Sequence, residues 1–129
     1  AALRAASTRA GKGDAAAAIR AFDAAAAAAS TPPLFADVAR VRAAYLAVGV
    51  EDRAAVEGRA APLASAGRPF RHSAREIMAL SAWKAGDLAA TTRWIEAAES
   101  DPETPRDLAD RLAVLSALVR GSAATGKAE

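Results

Sequence analysis

The chain holds one histidine, His72, followed directly by Ser73, and histidine is the side chain that most often takes a serine's proton in nucleophilic catalysis. Such a pair needs a third group to orient the imidazole, and no carboxylate is placed by sequence to do so. Ser73 also has a competing use. With Glu76 three residues on it forms a capping box, in which the hydroxyl accepts an amide hydrogen and the carboxylate reaches back. His72 is therefore expected to be structural, just before a helix. Near the C-terminus, Gly121-Ser122-Ala123-Ala124-Thr125-Gly126-Lys127-Ala128 approaches the phosphate loop GxxxxGK[ST]. It fails where the chemistry is done: Ala128 replaces the hydroxyl that would hold magnesium, no strand precedes the loop, and too few residues follow for a helix. Gly11-Lys12-Gly13 is weaker still. Without cysteine, and with no alternating acidic ladder, neither a zinc nor a calcium scheme arises. The pair Asp107 and Asp110 reads as solvated surface. The expectation is a protein that is not an enzyme and needs no cofactor or metal, and whose function lies in its surfaces.

Those surfaces must be helical. About a third of the 129 residues are alanine, while branched and aromatic residues are scarce; alanine loses no side-chain entropy in a helix, and strands favour the missing types. One domain fits this length. Breakers at Gly11 to Gly13, Ser30 to Pro33, Gly49 to Asp52, Gly67 to Pro69, Ala85 to Asp87 and Asp101 to Pro105 divide the chain into seven helices. Their expected spans are 2–10, 14–29, 34–48, 52–65, 73–84, 87–99 and 105–120, with 121–129 a flexible tail. Thr104 before Pro105 is a second cap signal. Leu34, Val38, Val41, Tyr45 and Val48 form one apolar stripe, and Leu108, Leu112, Leu115 and Val119 another. The formal charge of +2 is spread among nearly equal numbers of both signs, which excludes a nucleic-acid footprint. No apolar run is long enough to span a membrane.

A repeat organises the helices. Gly13-Asp14 leads to Phe22 and Ala25 as Gly86-Asp87 leads to Ile95 and Ala98, and the glycines are separated by twice a period of about 36, close to the tetratricopeptide (TPR) helix pair. A middle unit follows by spacing, with Ala44 and Leu63 at its contact positions. The stretch from Met78-Ala79 through Trp83, Gly86, Leu88, Thr91, Ile95 and Ala98 to Pro102 resembles a TPR unit, with Thr91 at a usually small position and Pro102 one residue early. This implies a right-handed superhelix of about three helix pairs, the first partly truncated, closed by a capping helix at 105–120.

More narrowly, Pro69-Phe70-Arg71-His72-Ser73-Ala74-Arg75-Glu76, Ala82-Trp83-Lys84-Ala85-Gly86-Asp87-Leu88 and Asp101-Pro102-Glu103-Thr104-Pro105 look like alphaproteobacterial members of the YfgM-like family. These are TPR proteins tethered to the bacterial inner membrane by one N-terminal helix, with repeats in the periplasm, and are described as ancillary to the Sec translocon. The resemblance implies protein partners: translocon subunits, periplasmic chaperones or secretory chains. It also fits a start at Ala1 without Met or cap, as though a membrane anchor preceded it. A TPR adaptor of another, cytoplasmic pathway and a self-assembling module, with homo-oligomers, are the alternatives.

In a TPR stack the first helix of each pair lines the concave face. The resemblance therefore places Val38, Val41, Tyr45 and Val48, with Glu76, Leu80, Trp83 and Lys84, along a partner-binding groove. Tyr45 and Trp83 are its natural anchors, unless they belong to the core between repeats. Trp94, about 100° around its helix from Ile95, is a second docking candidate if exposed. No Lys, Arg and Asn cluster beyond Lys84 suggests a carboxylate clamp.

The capping helix yields a first prediction. Leu108, Leu112, Leu115 and Val119 should cover the last repeat while Arg106, Asp110, Arg111 and Arg120 stay in water. Ending the chain at Pro102 should then lower stability by several kcal/mol, on the order of the burial of four such side chains at roughly 1.5–3 kcal/mol each. Urea unfolding would show it, and a truncated chain as stable as the parent would remove the cap assignment.

Overall fold

The computed structural model describes residues 14–128, with side chains to Thr125. It is all-helical. Six α-helices and one 3-10 turn follow one another: α1 (Ala15–Ala27), α2 (Pro33–Val50), α3 (Arg53–Ala60), the 3-10 turn (Ala61–Leu63), α4 (Arg71–Lys84), α5 (Leu88–Glu99) and α6 (Arg106–Ala128). No strand occurs among the described residues. The expected helix 2–10 lies outside them.

Three of these helices start by one device. Asp14, Asp52 and Asp87 occupy the N-caps of α1, α3 and α5, and their carboxylates accept from Ala17 N at 3.0 Å, Ala55 N at 2.9 Å and Ala90 N at 3.0 Å. Each satisfies an amide that the first turn leaves without a partner. Every second helix thus begins with an aspartate, at intervals of about 36 residues, and Asp52 marks the middle unit whose turn lacks glycine. Before Asp87, α4 ends in a Schellman motif: Gly86, at φ +78°, donates to Trp83 O and Asp87 N donates to Ala82 O, both at 3.0 Å. A left-handed φ favours glycine here because it has no Cβ to clash. The Gly-Asp pair ends one helix and starts the next within two residues.

Other boundaries depart from the sequence expectation. The helix expected over 52–65 ends at Ala60 and passes into the 3-10 turn, because Pro62 has no amide hydrogen to continue the ladder. Ser73 starts nothing: α4 begins at Arg71 behind Phe70, which makes no side-chain cap bond. Its capping-box partner Glu76 is engaged elsewhere. Thr104 precedes α6 as expected, but its hydroxyl donates to Ala98 O at 2.6 Å. The tail expected from residue 121 continues α6 to Ala128; Gly121 disfavours helix by only about 1 kcal/mol relative to alanine and does not stop it.

The helices stack in chain order. The extensive contacts join each helix to the next, most of all α1 to α2 and α4 to α5, and additionally α2 to α4 and α4 to α6. Two apolar clusters result. One gathers Ile19, Phe22, Val56, Leu63 and Ile77, the other Ile95, Leu108, Leu112 and Leu115. The four apolar residues of the capping stripe are all buried, as are Ala44, Leu63 and Ala79 at the expected contact positions. The stripe of α2 differs. Leu34 is 56% exposed, and the helix buries Ala36, Ala39, Ala43, Ala44 and Ala47 alongside Val41. Methyl-sized side chains let neighbouring helices approach closely, so alanine supplies much of the interhelical surface.

Alanines in this chain are therefore of two kinds. Ala39 is fully buried, whereas Ala24, inside the longest alanine run, is exposed. Ala39→Leu should lower stability by about 1–3 kcal/mol through overpacking, and Ala24→Leu should change it by less than about 0.5 kcal/mol. Equal effects in urea unfolding would contradict the assigned faces.

Candidate interaction groove

The eight residues expected to line a groove lie on α2 and α4, and the structure distributes them between surface and core. Val41 and Glu76 are buried, at 8% and 4% exposure. Val38, Tyr45, Val48, Leu80 and Trp83 are half-buried and Lys84 is exposed. Tyr45 and Val48 rest against the first apolar cluster, and Leu80 and Trp83 against the second. Each of these four shows one side to the core and one to solvent. Trp94 is half-buried and touches both clusters.

Glu76 determines how this face is built. A buried carboxylate is costly unless it is paired and hydrogen-bonded. Tyr45 of α2 donates its phenolic hydrogen to Glu76 Oε1 at 2.6 Å. Arg111 of α6 closes on the same carboxylate with a two-pronged fork, Nε to Oε2 at 2.8 Å and Nη2 to Oε1 at 3.0 Å. The bidentate geometry is the stronger form of such a pair. One side chain of α4 thus binds α2 and α6 together. Arg111 was expected only to stay in water; 54% of its side chain remains accessible, but its head is anchored. The signal that could have found it was Glu76 itself, a carboxylate followed directly by the apolar Ile77, Met78, Ala79 and Leu80.

A second link ties the helix ends. Lys84 donates from Nζ to Val48 O at 2.7 Å. Val48 lies in the last turn of α2, where carbonyls lack helical partners and the helix dipole is negative, so a lysine there is doubly favourable. Of the eight groove residues the structure therefore joins Tyr45 to Glu76 and Val48 to Lys84 directly.

The start of α4 is locked to the α5–α6 connection. Asp101 accepts from Arg71 Nε at 2.6 Å, Arg75 Nη1 at 2.9 Å and Glu103 N at 3.0 Å, and these donors, Arg71 foremost, hold its carboxyl well below the usual range. His72 lies beside it, with Nδ1 3.2 Å from Thr104 Oγ1. Because the Thr104 hydroxyl hydrogen goes to Ala98 O, Nδ1 carries the proton and donates to Thr104. Burial, and secondarily Arg71, lowers the His72 pKa. His72, Asp101 and Glu103 bring donor atoms within 4.8 Å of one another. Their chemistry does not suit a metal: Nδ1 is protonated, and both carboxylates already bind Arg71, whose charge opposes a cation. His72 approaches Asp101 only to 3.9 Å.

Among the described residues, no helix is long and apolar enough to cross a membrane. The phosphate-loop resemblance at 121–128 falls within α6, a conformation that cannot wrap a phosphate. Beyond the expected groove, Val114 and Leu118 on α6 are 63% and 52% exposed. By helical spacing they follow Arg111 on one side of α6, so the apolar surface continues past the two helices identified from sequence. No family model, curated protein or solved structure matches this chain.

Tyr45 is the only tyrosine, so its ionisation can be read alone. Burial and the Glu76 hydrogen bond push its pKa up from 10.0 to about 12, against smaller opposite pulls from Ser73 and Arg111. A group whose folded pKa is raised contributes stability that is complete below the unfolded value and lost as pH rises through the folded one. Phenolate absorbance should therefore titrate near 12, and stability should decline from about pH 10 upward. Glu76→Gln should move the midpoint down without restoring it fully, because burial remains; a midpoint at 10 in the parent chain would contradict the Tyr45–Glu76 bond.

Proposed function

We propose that this chain is a non-enzymatic protein-binding module whose partner lies across α2, α4 and α6. One observation carries the reading: half-buried Tyr45, Leu80 and Trp83 and exposed Val114 and Leu118 stand on three helices held together by Glu76. Large amphipathic side chains already fixed on one side bury much area on binding at little entropic cost. Stacking in chain order, with aspartate caps on alternate helices, supports a TPR-type array, in which the linked helices would form the concave face. The YfgM-like resemblance supports a more specific setting. There the module would stand at the periplasmic face of the bacterial inner membrane, beyond an N-terminal anchor. Its partners would be translocon subunits, periplasmic chaperones or emerging secretory chains.

Binding along this face should be mainly apolar and depend weakly on salt. Trp83→Ala should weaken partner capture by at least about 1–2 kcal/mol, as for an interface hot spot, once circular dichroism shows the fold intact. Tyr45→Ala removes one partner of Glu76, so Tyr45→Phe is its control: it keeps the ring and loses only the hydrogen bond. In-cell crosslinking of the full-length protein supplies the partner for this measurement. Recovery of cytosolic proteins alone would reject the periplasmic setting, and folded Trp83→Ala and Val114→Asp variants that bind normally would reject the groove.

A further inference from the structure

The end of α1, the middle of α2, the last turn of α3 and the 3-10 turn border an open cleft of about 380 Å³, within the range of roughly 300–1,000 Å³ usual for small-molecule sites. It shares no lining residue with the groove. Ala26, Ala27, Pro62 and Leu63 form its apolar side, and Arg40, Arg59 and Arg68 its cationic one.

The three guanidiniums differ in what they already hold. Arg59 binds two carboxylates, Asp23 and Glu51. Arg40 and Arg68 share a single one, Asp37, at 2.8 and 3.5 Å. Their side chains are 46% and 45% exposed, whereas Asp37 is 14% exposed. The Arg40–Arg68 corner thus has one positive charge in excess and several N–H donors left over, while Asp23, which also lines the cleft, disfavours a second negative charge on any ligand. Guanidinium forks match the planar carboxylate. The wall of methyl, proline ring and leucine calls for hydrocarbon rather than a hydrated inorganic ion.

We propose that this cleft binds a monocarboxylate with a small aliphatic group, its carboxylate on Arg40 and Arg68 and its hydrocarbon against Ala26, Ala27, Pro62 and Leu63. The ligand could be a free acid or the C-terminus of a peptide, since both present this chemistry.

Gly58 makes the proposal separable from folding. It lines the cleft, and a Cβ added there meets nothing within 4 Å. A side chain at this position would grow into open space while replacing a glycine that disfavours helix. The test is an NMR titration of the whole chain with 4-methylpentanoate, 4-methylpentanamide, inorganic phosphate and the free-acid peptide acetyl-Ala-Ala-Leu. The acid should shift the signals of Ala26, Gly58 and Leu63 and bind about tenfold or more tightly than its amide, as expected for charge-assisted hydrogen bonds. Gly58→Leu should abolish binding without lowering the melting temperature, and Arg68→Gln should erase the preference for acid over amide. Tighter binding of the peptide than of the acid would identify a chain terminus as the source, and equal or weaker binding a free acid. The proposal is overturned if the amide or phosphate binds as well as the acid, if Gly58→Leu binds unchanged, or if the acid produces no shift at about 20 mM, beyond the weak affinity of a small ligand in a formed site.

Discussion

A carboxylate that must leave water imposes the strongest constraint on this molecule. Glu76 lies inside α4 at 4% exposure, where an unpaired charge would cost more than most single contacts return. Its oxygens are satisfied only when α2 brings Tyr45 and α6 brings Arg111 to the same point. Apolar contacts tolerate sliding between helices, whereas these three bonds fix the helices along their axes. The amphipathic residues on this face owe their relative positions to that register.

Elsewhere the interior is made of small parts. Alanine faces on α2 and α4 bring backbones close, and among the larger side chains Ile77, Leu112 and Val56 are fully buried in the space between. Loops on such a body have little apolar cover, and arginine takes that role. Arg59 bridges α3 to Asp23 of α1 and Glu51 beyond α2, and Arg53 spans from α3 to Asp87 at the start of α5 at 3.0 Å. Arg75, 8% exposed, donates to Ala64 O as well as to Asp101. Arg75, like Arg71 with its bond to Arg68 O at 3.1 Å, satisfies a turn carbonyl and a carboxylate together, which suits a long planar group with five donors.

Local chemistry was readable from the sequence, and long-range chemistry was not. Glycine, proline and aspartate placed the turns because their effects act within a few residues, and the capping stripe of α6 was visible as spacing. The same local reasoning misassigned Ser73 and Glu76: the capping-box pattern is a statement about neighbours, and Glu76 instead answers to Tyr45 and Arg111, 31 and 35 residues away. The face of α2 was hidden for a different reason. Its buried alanines are identical to exposed ones in the sequence, and only the arrival of α1 and α4 separates them. Val114 and Leu118 give no separate signal, because the stripe beside them already accounts for the helix's apolar content.

Trp94 touches both apolar clusters, one built mainly from the N-terminal helices and the other from the C-terminal ones. In a linear stack, each unit ordinarily senses only its neighbour, and the ends can open while the middle stays closed. A single indole in contact with both halves works against that independence: loosening either cluster strips contacts from a side chain that the other also uses. The chain is thereby pushed toward melting as one cooperative unit instead of peeling apart from an end.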